Sequence, residues 1–174
     1  MRDVIITHMH PDHVGGLMAG EQRAFPNATV HADQHDADFW LSQAQMEKAP
    51  ADAKGFFQGA MASLNPYSSA GKFKPFNGNT ELVPGIRAQA SPGHTPGHVV
   101  FWSAEAQRCW VGDVLFAGSI GRTDFPGGNH ADLLAAIRDK LWPMGDDTVF
   151  IPGHGPESTF GRERRMNPHV KDRD

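Results

Sequence analysis

The chain has 174 residues, with sixteen Lys and Arg against twenty Asp and Glu, a formal net charge of −4. That balance excludes the basic surplus expected of a nucleic-acid or anionic-membrane binder. One cysteine, Cys109, excludes an internal disulfide, and no run of about eighteen apolar residues or basic-plus-apolar leader is present. These bounds describe a single domain over residues 1–174, near the roughly 150-residue scale at which folding buries about two-thirds of the accessible surface. A cytoplasmic location and a small-molecule partner are expected.

The chain opens on DVIIT, residues 3–7, an apolar run that predicts a buried strand delivering the chain into THMHPDH. VGGLMAGEQRAF then reads as a helix despite its glycines, ATVHA as a strand, and DQHDADFWLSQAQMEKA as a helix with Asp33 as N-cap. A further helical piece, ADAKGFFQGAMASL, is expected to end before Asn65 and Pro66. ELVPGIRAQAS and HVVFWSA read as strands around the turn-rich PGHTPG, and RCWVGDVLFA as another strand. Asn129 is the expected N-cap of ADLLAAIRDKLW, and DTVFIPGHG returns to strand and loop. Strands and helices alternating in this way predict a layered α/β domain.

Ten histidines are present, several of them in short Gly/Pro-rich loops instead of on apolar faces. In extended backbone, residues two apart face the same way, so His8 and His10 can present imidazoles to one point while Asp12 and His13 turn toward another. One short loop can then serve two adjacent metals. Imidazole and carboxylate are ligands that zinc accepts at about 2.0–2.2 Å, with a position left open for water at catalytic sites. SPGHTPGH adds His94 in a tight loop, VGDVLF sets Asp113 within a strand-like run, and IPGHGP places His154 just past another. A solvated His-rich turn is the plain alternative for an isolated HxH. It does not account for HxHxDH directly after an apolar strand with His, Asp and His following in order.

These residues resemble the metallo-β-lactamase superfamily along nearly the whole chain. The resemblance implies an αββα sandwich. It also implies two divalent ions, zinc first and iron or manganese as alternatives, with His8, His10 and His94 on the first, Asp12, His13 and His154 on the second, and Asp113 bridging. Asp12 and Asp113 would be the catalytic carboxylates beside the metal-activated water. GDVLFAGSIGRTDFPGG with FIPGHGPESTFGRERRMNPHV resembles the small glyoxalase II-like (hydroxyacylglutathione hydrolase-like) hydrolases, which implies a thioesterase. FPNATVHADQHDADFWLS, FKPF and ELVPGI resemble the methyl parathion hydrolase-like and lactonase-like branch instead, so a composite chain is one reading. Members of the superfamily carry several strands ahead of HxHxDH, whereas here MRDVII alone precedes Thr7. A sandwich short of its N-terminal strands is therefore expected, with a homodimer as one way of covering the exposed sheet.

The resemblance implies an anionic acyl thioester as substrate, because a thiolate leaves without a strong general acid. Arg122 and Phe125 in GRTDF are candidate substrate contacts, with an Arg122–Asp124 pair fixing the loop as the plain alternative. Arg162, Arg164 and Arg165 read first as a solvated basic run, His98, four residues after His94, as turn packing with a role supporting the metal ligands as the alternative, and Cys109 as a buried apolar residue. GRTDF also resembles persulfide dioxygenases, which would hold one iron through His8, His94 and Asp113. A lactonase or phosphotriesterase, and an inactive metal-binding domain, complete the alternatives.

Overall fold

A computed structural model describes residues 1–172, and its packing forms two units, Met1–Asn77 and the residues from Gly78 on. In the first unit the opening apolar run forms β1 (Asp3–Ile5). Where a helix was expected after the histidine cluster, a 3₁₀ turn leads into a hairpin of β2 (Met18–Ala19) and β3 (Gln22–Arg23). Gly15, Gly16 and Gly20 weaken a helix there, each by roughly 1 kcal/mol relative to Ala. β4 (Thr29–His31) lies parallel to β1, pairing Asp3 with Thr29 and Ile5 with His31.

The histidine loop itself turns into α1 (Pro11–Val14), with Pro11 in the first turn, where its missing N–H costs nothing. Three longer helices follow: α2 (Gln34–Trp40), α3 (Gln43–Lys48) and α4 (Lys54–Ser69). Asp33 caps α2 as expected, its carboxylate accepting from the His35 N–H. Helix α4 runs through Pro66 instead of stopping before it. Tyr67 explains this: it is fully buried, its hydroxyl donates to the Leu17 carbonyl at 2.8 Å and accepts from the Phe25 N–H at 3.1 Å. Those tertiary contacts hold the last turn despite the ladder bond that proline removes. The unit's core gathers Met9, Val14, Trp40, Phe57, Leu64 and Tyr67.

The second unit is built on a six-stranded sheet, with β5 (Thr80–Val83), β6 (Ile86–Ala90), β7 (Val99–Ser103) and β8 (Arg108–Gly112) as an antiparallel run. Pro84 and Gly85 split the expected ELVPGIRAQAS strand into the β5–β6 hairpin. RCWVGDVLFA also divides. β8 stops at Gly112, and β9 (Leu115–Phe116) pairs separately with β10 (Ser119–Ile120). Asp113 therefore stands just beyond a strand's C-terminal end, not inside a strand. Next come α5 (His130–Ala136), capped by Asn129 as expected, and β11 (Val149–Pro152), parallel to β8. β12 (Ser158–Thr159) forms the sheet's other edge, and α6 (Phe160–Met166) closes the order. Helix α5 passes into a π turn over Ile137–Leu141. The face carrying Val100, Cys109 and Val111 packs with Leu133, Ile137, Leu141, Phe150 and Phe160 into this unit's core. Cys109 is fully enclosed, and burial pushes its thiol far above the usual range, so it is an inert packing residue as read from sequence. Among the described residues no helix is long and apolar enough to cross a membrane.

Candidate metal centre

In the first unit, the chain leaving β1 carries His8 and His10, the latter in extended backbone, and the turn at α1 then reverses it. The His13 and Val14 N–H groups both donate to the His10 carbonyl, at 2.9 and 3.2 Å. The rings of His8 and His10 stand edge to face with centroids 4.9 Å apart, and the turn brings His13 back to 4.0 Å from His8. Each of these two pairs brings ligand nitrogens within 4.8 Å of one another. Asp12 Oδ2 lies 3.3 Å from His13 Nε2. Trp40 and Phe56 wall the far side of His10, their centroids 5.0 and 5.1 Å from its ring. Close packing fixes the loop from behind. A Cβ on Gly59 of α4 would meet the Pro11 ring at 2.7 Å, so only glycine lets α4 lie against this turn.

In the second unit, the sheet brings three loops to one end. β8 and β11 run parallel, and the Gly153 N–H donates to the Gly112 carbonyl at 2.8 Å, so the residues after each strand emerge side by side. Asp113 Oδ2 accordingly lies 3.5 Å from His154 Nε2 and 3.6 Å from His94 Nε2. Both separations are longer than a good hydrogen bond of about 2.7–3.2 Å. They match two ligands that share one tetrahedral ion at about 2.1 Å, which stand roughly 3.4 Å apart. His94 Nδ1 is 2.7 Å from the Arg122 carbonyl. A carbonyl only accepts, so Nδ1 carries the proton and Nε2 keeps the lone pair a metal needs. His98 is fully buried and its Nε2 accepts from the Asp113 N–H at 3.1 Å, which makes it the anchor of the carboxylate's backbone. The supporting role, not turn packing alone, is what the structure assigns to it.

Burial sorts the seven candidate ligands. His8, His10, His94 and Asp113 are all buried, whereas Asp12 and His154 are exposed and His13 is intermediate. The first group contains every residue expected on the first ion and the second every residue expected on the second, apart from the shared Asp113.

The substrate candidates sit differently. The Arg122 guanidinium points out, clasps Asp124 through two hydrogen bonds of 2.9 and 2.7 Å, and lies 4.6 Å over the Phe125 ring. That clasp lowers the Asp124 carboxyl below its ordinary range. The Arg122–Asp124 pair named in the plain reading is present. Phe125 is half-buried with its ring 5.7 Å from His94, edge to face. Arg164 and Arg165 pair with Asp146 and Asp172.

Sequence reading missed two supports. Asp36 is fully buried and its Oδ2 accepts at 2.9 Å from the N–H of Met9, the residue between His8 and His10. Its position was the available signal, because Asp36 shares the apolar face of α2 with Ala37 and Trp40. Glu163 in α6 is also buried, accepting from the Gly118 N–H at 2.7 Å and the Ser158 hydroxyl at 2.6 Å. Asn167 Nδ2 donates to it and to the Ser119 carbonyl, both at 3.0 Å. This network ties the β9–β10 hairpin, which leads into Gly121 and Arg122, to the C-terminal helix. Asp36→Ala should leave the Met9 N–H buried without its acceptor, costing about 2 kcal/mol. The melting temperature is expected to fall by roughly 4–8 °C, read by calorimetry, with metal retention weakened in the same variant.

The fold and the ligand loops define a class of divalent-metal proteins with an α/β scaffold. Residues 2–154 match the metallo-beta-lactamase superfamily, and the chain belongs to it. Hydroxyacylglutathione hydrolase GloC of Haemophilus influenzae is 34% identical over 178 residues, covering 98% of this chain and 76% of the relative. The probable metallo-hydrolase YqgX of Bacillus subtilis is 33% identical, covering 96% of this chain and 74% of the relative. Among solved structures, TTHA1623 in a di-iron-bound form is similar at a TM-score of 0.70 and 28% identity, covering 97% of this chain and 77% of that one. A single relative thus spans both segments whose motifs resemble different branches.

Proposed function

We propose that the protein is a binuclear metallo-hydrolase that cleaves a small anionic acyl thioester of the hydroxyacyl-glutathione type. The observation that carries this reading is Asp113, a buried carboxylate with one oxygen 3.6 and 3.5 Å from the Nε2 atoms of His94 and His154. The donor set suits divalent zinc, iron or manganese, being all imidazole and carboxylate. His8, His10 and His94 would hold one ion, Asp12, His13 and His154 the other, and Asp113 both. When bound, the ions would supply a water ionised near neutral pH and polarise the scissile carbonyl.

The chain's own residues do the remaining work. The Arg122 carbonyl keeps His94 in the ligating tautomer, and His98 holds Asp113 in place through its backbone. Asp12 is more than half exposed, so the second ion would be open to solvent and to substrate. Two divalent ions against Asp12, Asp113 and a hydroxide would leave a local charge of about +1, which favours an anionic substrate. A thiolate leaving group, with a conjugate acid of pKa about 8.5, departs without an acid from the protein. The similarity to the Haemophilus hydroxyacylglutathione hydrolase supports this substrate class.

The test combines elemental mass spectrometry on protein purified without added metal with hydrolysis of S-lactoylglutathione. About two divalent ions per chain and turnover of the thioester are expected. One iron with oxygen consumption on a persulfide, or turnover of a homoserine lactone alone, would replace this reading.

A further inference from the structure

We infer that the second unit carries a separate binding site for a small organic monoanion with a flat apolar body, in a cavity between β6–β7 and the π turn Ile137–Leu141. The cavity measures about 340 Å³, within the roughly 300–1,000 Å³ range of ligand pockets. Its sheet wall follows from register. Arg87 on β6 stands directly opposite Trp102 on β7, so the two side chains share a face. Trp102 packs against the unit's core, and its indole N–H is buried with no acceptor among the described residues. The Arg87 guanidinium forms no ion pair among the described residues, although Asp139 lines the same cavity.

The opposite wall comes from the π turn and the 3₁₀ turn after it, Trp142–Met144. π turns are rare and concentrate at functional sites. Here it contributes Asp139 and Lys140 to the cavity. Lys140 Nζ donates to the Ala90 carbonyl at 2.6 Å, which fixes the ammonium on the wall and leaves two of its three donors for a ligand. Met144 adds an adaptable apolar surface. Two cations against one carboxylate leave a charge of about +1, which selects a carboxylate- or sulfonate-bearing monoanion over a polyphosphate. The ligand's flat part would lie against Trp102 and Met144, with its anionic group between Arg87 and Lys140. None of the candidate metal ligands takes part.

The test is a titration of the metal-loaded protein with 4-fluorobenzoate, read by ¹⁹F NMR line broadening and by the Trp102 indole N–H resonance, assigned with Trp102→Phe. Neutral 4-fluorobenzyl alcohol is the control. Saturable binding with a Kd of about 1 mM or tighter, a moving Trp102 resonance and at least a tenfold weakening, about 1.4 kcal/mol, in Arg87→Ala are expected, with partial recovery in Arg87→Lys. The inference fails if nothing saturates, if the alcohol binds equally well, if Arg87→Ala leaves the affinity unchanged, or if binding occurs without moving the Trp102 signal.

Discussion

Asp113→Asn is expected to reduce thioester hydrolysis at least roughly 100-fold and to lower bound metal from about two ions per chain to about one or fewer. The lower bound follows because residues that merely support a ligand already cost about 10–100-fold when lost, whereas Asp113 is read as a ligand to both ions. Asparagine keeps the shape, and the His98 bond to the residue-113 N–H is to the backbone, so it survives the change. What disappears is the negative charge between His94 and His154. Asp12 would then be the only carboxylate left in the set, facing two divalent ions and otherwise neutral imidazoles, and the second ion would meet uncompensated repulsion. Elemental analysis and initial rates give the answer, with near-ultraviolet circular dichroism of the metal-free protein as the folding control. Retention of two ions and of the parent rate would remove Asp113 from its bridging role.

The candidate metal loops could be picked out from sequence because their signals are local. HxHxDH directly after an apolar run, and Gly/Pro-rich loops around His94 and His154, need no tertiary information to be recognised. Asp33 and Asn129 were legible as caps for the same reason. At Pro66 a long-range contact decided. The continuation of α4 through Pro66 depends on the Tyr67 hydroxyl reaching Leu17, fifty residues earlier. The break after β8 that frees Asp113 falls at Gly112-Asp113, between RCWV and VLFA, whose apolar residues on either side have the pattern of one continuous buried strand. Asp36, Glu163 and Asn167 carry no motif spacing of their own. Asp36 has only its place on the apolar face of α2 to mark it, and Glu163 and Asn167 are recognisable once burial is known, as polar groups on faces that otherwise pack against a core. Arg122 adds a contact that no motif announces: its backbone carbonyl accepts from His94 Nδ1, independently of what its charged side chain does.

Gly121→Ala should be the most damaging substitution outside the ligands themselves. A Cβ at this position would stand 1.8 Å from the Asp113 carbonyl oxygen and 3.5 Å from His94 Nδ1. The first contact is with backbone, so no rotamer change relieves it, and the chain must move at Asp113, at Gly121 or at both. Either movement reaches the candidate metal centre. The Gly121 N–H donates to the Val114 carbonyl at 3.2 Å, and the next residue's carbonyl holds His94 in its ligating tautomer. A loss above about 4 kcal/mol is expected, in the range diagnostic of forced backbone strain, together with loss of bound metal. Gly118→Ala is the matching control. Gly118 has a positive φ of 75° but open space around its Cβ position, so alanine there carries only the left-handed penalty of about 1–2 kcal/mol and should keep its metal. Chemical denaturation and metal content measured on both variants separate the two effects. Equal destabilisation of the pair would mean that backbone conformation, and not the close approach of Gly121 to Asp113, governs this loop.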